Sequence, residues 1–254
     1  MSALLLEARG IVKRFGGVEA LRGAAFSVRP GEVVALMGDN GAGKSTLIKT
    51  ICGVHAPDAG QVIFDCRRID GLSPREIQAL GVQTVYQDLA LAPDLDTAAN
   101  LYLGRELSAP GLLGALGVLA KKAMAAHADQ VLKDLRVSIK DPSAPVAMLS
   151  GGQQQSVAVA RAVTWADRLV VMDEPTAALG VPQTRAVLDL IRAVRDSGRS
   201  VVLISHSLPD VMAVSDRIEV LRLGRRVARF VTAETGEEQV VGAMTGAFTQ
   251  EEAA

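Results

Sequence analysis

The 254-residue sequence predicts an α/β fold, a mostly parallel sheet with a helical subdomain inserted into it. Three observations lead there. "RLVVMDEP" and "SVVLISH" are continuous apolar runs ending in polar residues, as expected of parallel strands buried on both faces. Between them Val187, Leu190, Ile191 and Val194 stripe one face of a helix. From about Asp88 to Arg161 the strand–helix alternation gives way to helical texture, which marks an insertion.

From the N-terminus, "LLLEARGIVKRF" and "AAFSVRPGEVVALMG" are β-rich runs separated by glycine and proline turns. "STLIKTICG" reads as a helix stopped by Gly53. "QVIFD" and "VQTVYQ" are short strands, the second ending in Gln87. In "KKAMAAHADQVLKDL" the residues Met124, Ala128, Val131, Leu132 and Leu135 fall at i, i+4, i+7, i+8 and i+11, an amphipathic helix. "SIKDPSAPV" reads as a linker, and "LSGGQQQSVAVARAV" as a turn followed by a helix. "RIEVLRLGRRVARF" reads as a hairpin turning at Leu223-Gly224. No internal repeat is visible. One domain over 1–254 is expected: a core from 1–87 and 162–242, a helical subdomain over 88–161, and an acidic tail over 243–254.

Composition excludes several classes. The net charge of −1 argues against a bulk polyanion, so no nucleic-acid partner is expected. After Arg229, the last basic residue, come Glu234, Glu237, Glu238, Glu251 and Glu252, read as a solvated acidic end. Cys52 and Cys66 form no CxxC and fit a reducing compartment. "MSALLLEARG" has no basic leader, and its apolar run is too short for a signal peptide. The most apolar stretch, Ala109 to Ala120, is broken by glycines and a proline and is too short to span a bilayer. A soluble, cytoplasmic chain is expected.

Two glycine-rich turns carry the chemistry. Gly38-Asp39-Asn40-Gly41-Ala42-Gly43-Lys44-Ser45 matches G-x-x-x-x-G-K-[ST], between a strand and a helix. Glycines alone would serve a plain chain reversal, but this setting suits a phosphate cradle. Its backbone N–H groups and the helix N-terminus point at phosphate oxygens. Lys44 supplies charge to the β and γ phosphates, and Ser45 can ligate Mg²⁺. Asp173, at the tip of a buried strand, can hold the same ion, and Glu174 is placed to take a proton from an attacking water. His206 and Gln87 end neighbouring strands, where ligands bind at the carboxyl edge of a parallel sheet. Ser150-Gly151-Gly152, opening a helix, is a second anion-binding geometry, yet it lies in the helical region. One chain thus holds two half-sites for phosphate. A dimer, each P-loop facing the other chain's Ser-Gly-Gly turn, resolves this.

With these motifs in order, the sequence resembles an ABC-type ATPase, the nucleotide-binding subunit of an ABC transporter, from about Leu5 to Gly242. The resemblance implies a P-loop NTPase core, an N-terminal antiparallel β-subdomain and a helical subdomain bearing the signature turn. It implies ATP and Mg²⁺ as cofactors. Gly38, Asp39, Asn40, Gly41, Ala42, Gly43, Lys44, Ser45 and Thr46 would bind nucleotide. So would Phe15, at the position of the adenine-stacking aromatic, which is usually Tyr. Ser150, Gly151, Gly152 and Gln153 would contact it from a second copy. Lys44, Gln87, Glu174 and His206 would be catalytic, and Ser45, Gln87 and Asp173 would hold the metal.

"MGDNGAGKSTLIK", "SGGQQQSVAVARAV" and "DEPTAALG" narrow the resemblance to ATPases of bacterial simple-sugar importers, in their single-module, fructose-type form. That implies sugar uptake, with importers of other solutes and soluble ABC ATPases as the alternatives. It also implies a homodimer, membrane-spanning permease subunits, indirectly a solute-binding protein, and a peripheral place on the cytoplasmic face of the inner membrane. Coupling would run through the loop from Gln87 to Leu95 and the helical subdomain. One departure stands out. Such ATPases usually follow Asp-Glu-Pro-Thr with Ser-Ala-Leu-Asp, whereas Ala177, Ala178, Leu179 and Gly180 stand here.

Overall fold

Apolar periodicity sorts the chain into strands and helices, in a computed structural model that describes residues 4–247. They are β1 (Leu6–Phe15), β2 (Val18–Val28), β3 (Val33–Met37), α1 (Lys44–Ile51), β4 (Ala59–Phe64), β5 (Arg67–Arg68), α2 (Pro74–Ala79), β6 (Val82–Val85), α3 (Thr97–Tyr102) and α4 (Leu112–Ala115). Then come α5 (Lys121–Asp134), α6 (Gly151–Trp165), β7 (Leu169–Asp173), α7 (Val181–Asp196), β8 (Ser200–Ile204), α8 (Leu208–Val214), β9 (Arg217–Arg222), β10 (Arg225–Val231) and α9 (Glu237–Thr245).

The fully apolar strands assemble a six-stranded sheet of order β10-β9-β3-β8-β7-β6. It is parallel except for β10, which pairs antiparallel with β9. β3, β7 and β8 carry apolar side chains on both faces because both faces are covered. On one face Val34, Leu36, Val171 and Val202 pack with Leu47 and Ile51 of α1 and with Leu6, Ile11 and Phe26 of a second sheet. That sheet is antiparallel, ordered β2-β1-β4-β5. On the other face Val33, Val170, Met172 and Val201 pack against α6, α7 and α8. Both expected stripes are buried. Met124, Ala128, Leu132 and Leu135 turn α5 inward, with Val131 at the margin. Val187, Leu190, Ile191 and Val194 do the same for α7. The hairpin turns at Leu223 and Gly224, with φ of 49° and 77°; both central residues in the left-handed region match the twist of a two-residue loop.

Buried charge ties the two sheets together. Glu219 on β9 is fully buried and is held by Arg217, Arg226 and Arg229 and by the Ser27 hydroxyl of β2. Arg217 also bonds Glu32, at 2.6 Å, and the Ser27 carbonyl.

Two expectations need correction. Gln87 does not end a strand. β6 stops at Val85, paired with Met172, because Tyr86 to Leu89 close a turn through the Leu89 N–H and the Tyr86 carbonyl. The helix opened by Ser150-Gly151-Gly152 is α6, with Ser150 as its N-cap, and it runs to Trp165, whose indole N–H bonds the Leu101 carbonyl of α3 at 2.9 Å. The acidic end is partly structured: α9 buries Val240 and Ala243 against the sheet. Glu237 and Glu238 lie in its first turn, where they complement the helix dipole. Glu251 and Glu252 lie outside the described residues.

Candidate nucleotide site

β3 delivers the chain into the glycine loop, whose shape is enforced sterically. A Cβ at Gly38 would sit 2.1 Å from the Leu221 carbonyl oxygen, and one at Gly43 would sit 2.8 Å from that of Ala20. Gly43, at φ 103°, occupies the N-cap of α1 without any side-chain cap, so the first N–H groups of the helix remain available. Lys44 folds back and donates to the carbonyls of Gly38, at 2.7 Å, and Asp39, at 3.1 Å. An anion in the loop offers this ammonium a charged partner in place of two neutral carbonyls. The loop from Asp39 to Thr46, which includes Ser45, lines a cavity of about 430 Å³ with Val18, Glu19, Ala20, Arg22 and Leu223.

The sheet order places the remaining groups. β8 lies between β3 and β7, and β6 lies beyond β7. All four are parallel, so the loops that leave their carboxyl ends collect at one edge. Gly38, Asp39, Asn40, Gln87, Glu174, Ala177 and His206 line one cavity of about 420 Å³, together with Met244 of α9. Asp39 and Asn40 border both cavities, which therefore adjoin.

Asp173 ends β7 beside Ile204 of β8. Burial, and then the adjacent Glu174, push its carboxyl above the usual carboxylate range, while Lys49 and Lys44 pull it back. A cation beside it would oppose both raising effects. Glu174 has φ 51°, and its N–H bonds the Ile204 carbonyl at 2.9 Å. That turn swings its side chain out of line with the strand. Its Oε2 lies 2.8 Å from His206 Nδ1. The contact lacks hydrogen-bond alignment, and this buried oxygen has no hydrogen-bond partner among the described residues. A buried acceptor without a donor is costly to leave dry. It is suited to hold, and to deprotonate, a water in the cavity.

The second half-site lies elsewhere. Ser150 caps α6 in a reciprocal capping box with Gln153. Ser150, Gly152 and Gln153 border a separate cleft of about 920 Å³ between the end of α5 and α7. None of its lining residues is shared with either P-loop cavity.

The profile of the family described as ABC transporter matches residues 21–177. This chain belongs to the ABC transporter family. The fructose import ATP-binding protein of Rhizobium meliloti is 47% identical over 245 residues, covering 96% of this chain and 94% of that protein. The xylose/arabinose import ATP-binding protein of Sulfolobus acidocaldarius is 44% identical, covering 95% and 94%. A ribose import ATP-binding protein of Rubrobacter xylanophilus is 42% identical, covering 98% of this chain but 48% of its own length. Among solved structures, an ATP-binding cassette of an ABC transporter in its ADP conformation superposes with a TM-score of 0.80 at 28% identity, covering 96% of both chains. The ABC ATPase architecture expected from the sequence is the one observed.

The structure thus brings Gly38 to Thr46, Gln87, Glu174 and His206 to one edge, with Asp173 at the strand tip behind Glu174. Phe15 is not among the residues lining either cavity. Its ring is 44% exposed and meets His55 edge-on, with centroids 5.2 Å apart. Val18, two-thirds exposed at the start of β2, lines the P-loop cavity instead. Sequence reading missed Val18 and Met244, because an apolar residue in a strand or tail carries no signal of what it will face.

Proposed function

We propose that this ABC protein is the ATP-binding and ATP-hydrolysing subunit that drives import of a simple sugar. The observation that carries the chemistry is the gathering of the P-loop, Gln87, Glu174 and His206 at one sheet edge, with a Glu174 oxygen among them that accepts no hydrogen bond from the described residues. The sugar-import names of the relatives carry the cargo.

ATP phosphates enter the loop and draw Lys44 from the Gly38 and Asp39 carbonyls. Glu174 accepts the proton of the attacking water, and His206 stabilises the charge that develops on the γ-phosphate. The Ser45 hydroxyl, the Gln87 amide oxygen and the Asp173 carboxylate are hard oxygen donors of the kind Mg²⁺ takes, and they would hold it. The raised Asp173 carboxyl agrees with a cation belonging there. Held there, Mg²⁺ would neutralise charge on the phosphates. Phe15, 44% exposed beside His55, remains the candidate for adenine stacking.

Because Ser150 and its neighbours border a different cleft from the P-loop, completion of the site by a second copy is favoured. ATP then drives closure, since both half-sites touch the nucleotide only in the closed dimer. Closure passes to permease subunits through the Gln87 to Leu95 loop. Among the described residues no helix is long and apolar enough to cross a membrane, which fits a peripheral subunit on the cytoplasmic face of the inner membrane. An external binding protein would deliver the sugar.

The test is reconstitution in proteoliposomes with the permease that co-purifies with the chain. ATP-dependent accumulation of labelled fructose, xylose or ribose is expected, and it is lost with Glu174→Gln. ATP turnover with no sugar accumulation would reassign the cargo.

A further inference from the structure

The segment from Leu107 to Ala120, between α3 and α5, is an apolar knob with no role in the nucleotide site. Two backbone bonds close its neck, Ala109 N–H to the Val118 carbonyl at 2.8 Å and Ala120 N–H to the Leu107 carbonyl at 2.7 Å. Gly111 and Gly117, at φ 67° and 82°, turn the chain into and out of α4. The knob packs tightly on itself: a Cβ at Gly114 would lie 1.9 Å from the Ala109 carbonyl oxygen. Its crown is nonetheless apolar. Leu112, Leu113 and Leu116 are 78%, 58% and 72% exposed, with Val118 and Leu119 exposed beside them. A contiguous exposed apolar patch on an ordered turn marks an interaction surface.

Charge identifies the occupant. Residues 107–128 contain no Asp or Glu, and the exposed Lys121 and Lys122 come directly after the knob. A second copy would bring the same lysines together. The cytoplasmic loops of membrane proteins carry an excess of Lys and Arg, so a permease loop would repel the pair. The cytoplasmic leaflet is anionic and attracts basic residues beside an apolar insertion. Exposed leucines need no complementary groove in lipid.

We propose that the knob is a lipid-contacting anchor: Leu112, Leu113 and Leu116 enter the interface of an anionic bilayer while Lys121 and Lys122 meet its headgroups. This rests on the cytoplasmic-face reading above and adds to it a contact made without the permease. Two weak signals, an apolar crown and a basic pair, give reversible binding that steers the chain to the surface rather than fixing it there.

The test uses the full chain without permease. It is sedimented with vesicles of phosphatidylglycerol and phosphatidylethanolamine, and with vesicles of phosphatidylcholine alone. Binding to the anionic vesicles at least about tenfold tighter than to the neutral ones is expected, from the roughly additive attraction of two lysines. The triple variant Leu112→Ser, Leu113→Ser, Leu116→Ser should lose binding to both. Lys121→Glu with Lys122→Glu should lose the anionic preference. ATP turnover by both variants should match the unmodified chain, which verifies the fold. In Leu113→Trp, anionic vesicles should shift the added emission to the blue. No sedimentation, or equal sedimentation of the triple serine variant, overturns the proposal. A dimer abolished by the serine changes assigns the knob to a second copy, and lost permease assembly with vesicle binding intact assigns it to the permease; either overturns it too. Vesicle binding needs neither ATP turnover nor sugar transport, so a chain that binds vesicles but moves no sugar overturns only the functional reading.

Discussion

Glu174 combines a left-handed backbone, a partly buried carboxylate and a histidine at contact distance. A non-glycine residue at φ 51° costs about 1–2 kcal/mol, and the neighbouring strands impose it. Glu174→Gln is expected to retain ATP binding and to lower turnover at least about a hundredfold, the scale of a general base. Steady-state hydrolysis beside nucleotide titration checks this; near-normal turnover would place the base elsewhere. Residue identity was legible from "LVVMDEP", but the backbone twist that aims the side chain was not, because it arises from the β7–β8 pairing. The cysteines offer a second check. Burial, countered by a contact with the Thr84 hydroxyl, pushes the Cys52 thiol up to about 11. Cys66 is exposed. At pH 8 Cys52 stays protonated and enclosed, so native protein should yield one rapidly titrating thiol, and unfolding the second. Two fast thiols in native protein would contradict the packing of α1.

Two elements determine how the site is linked to its surroundings. Arg161 on α6 donates to the carbonyls of Ala90, at 2.6 Å, and Leu89, at 2.7 Å. Those residues hold φ of 46° and 55° just beyond Gln87. The helix that begins at the Ser-Gly-Gly turn therefore grips the loop proposed to transmit closure. Arg161→Ala should leave nucleotide affinity intact, speed amide exchange over residues 87–95 and raise the ATP consumed per sugar moved. Unchanged exchange would show that the loop holds itself. The departure at Ala177 to Gly180 also has a local reading. Gly180 is the N-cap of α7 and offers no side-chain cap. Gly180→Asp supplies one, worth a few tenths of a kcal/mol over glycine, with only the Gln183 amide oxygen, 2.8 Å from the new Cβ, needing to move. A slightly raised melting temperature is expected, and with Ala177→Ser a longer-lived ATP-bound dimer by size-exclusion chromatography. The helices were legible through their stripes, while the Arg161 grip joins residues 71 apart in sequence, beyond any periodicity.

Across the whole molecule, buried charge joins the sheets. Removing Glu219 leaves Arg217 without one of its two carboxylates in a buried site. Glu219→Ala is expected to cost about 3–5 kcal/mol, read as a lowered denaturation midpoint. Parallel strands, the phosphate loop and the signature turn were legible because each has a local pattern. The sheet order that unites Gln87, Glu174 and His206 was foreseeable from the rule that ligands gather at carboxyl ends. The structured α9 and its Met244 were not legible, since the glutamates after Arg229 masked a short apolar face. The central claim is that each ATP site is shared between two chains. Mixing Ser150→Arg protein with Lys44→Ala protein measures it most directly. The first keeps its P-loop and binds ATP, the second keeps its signature turn, and neither alone should hydrolyse ATP. Hydrolysis should reappear in the mixture, from the one intact composite site of each mixed dimer. A mixture that stays inactive, or a Ser150→Arg chain unable to bind ATP, would contradict the shared site.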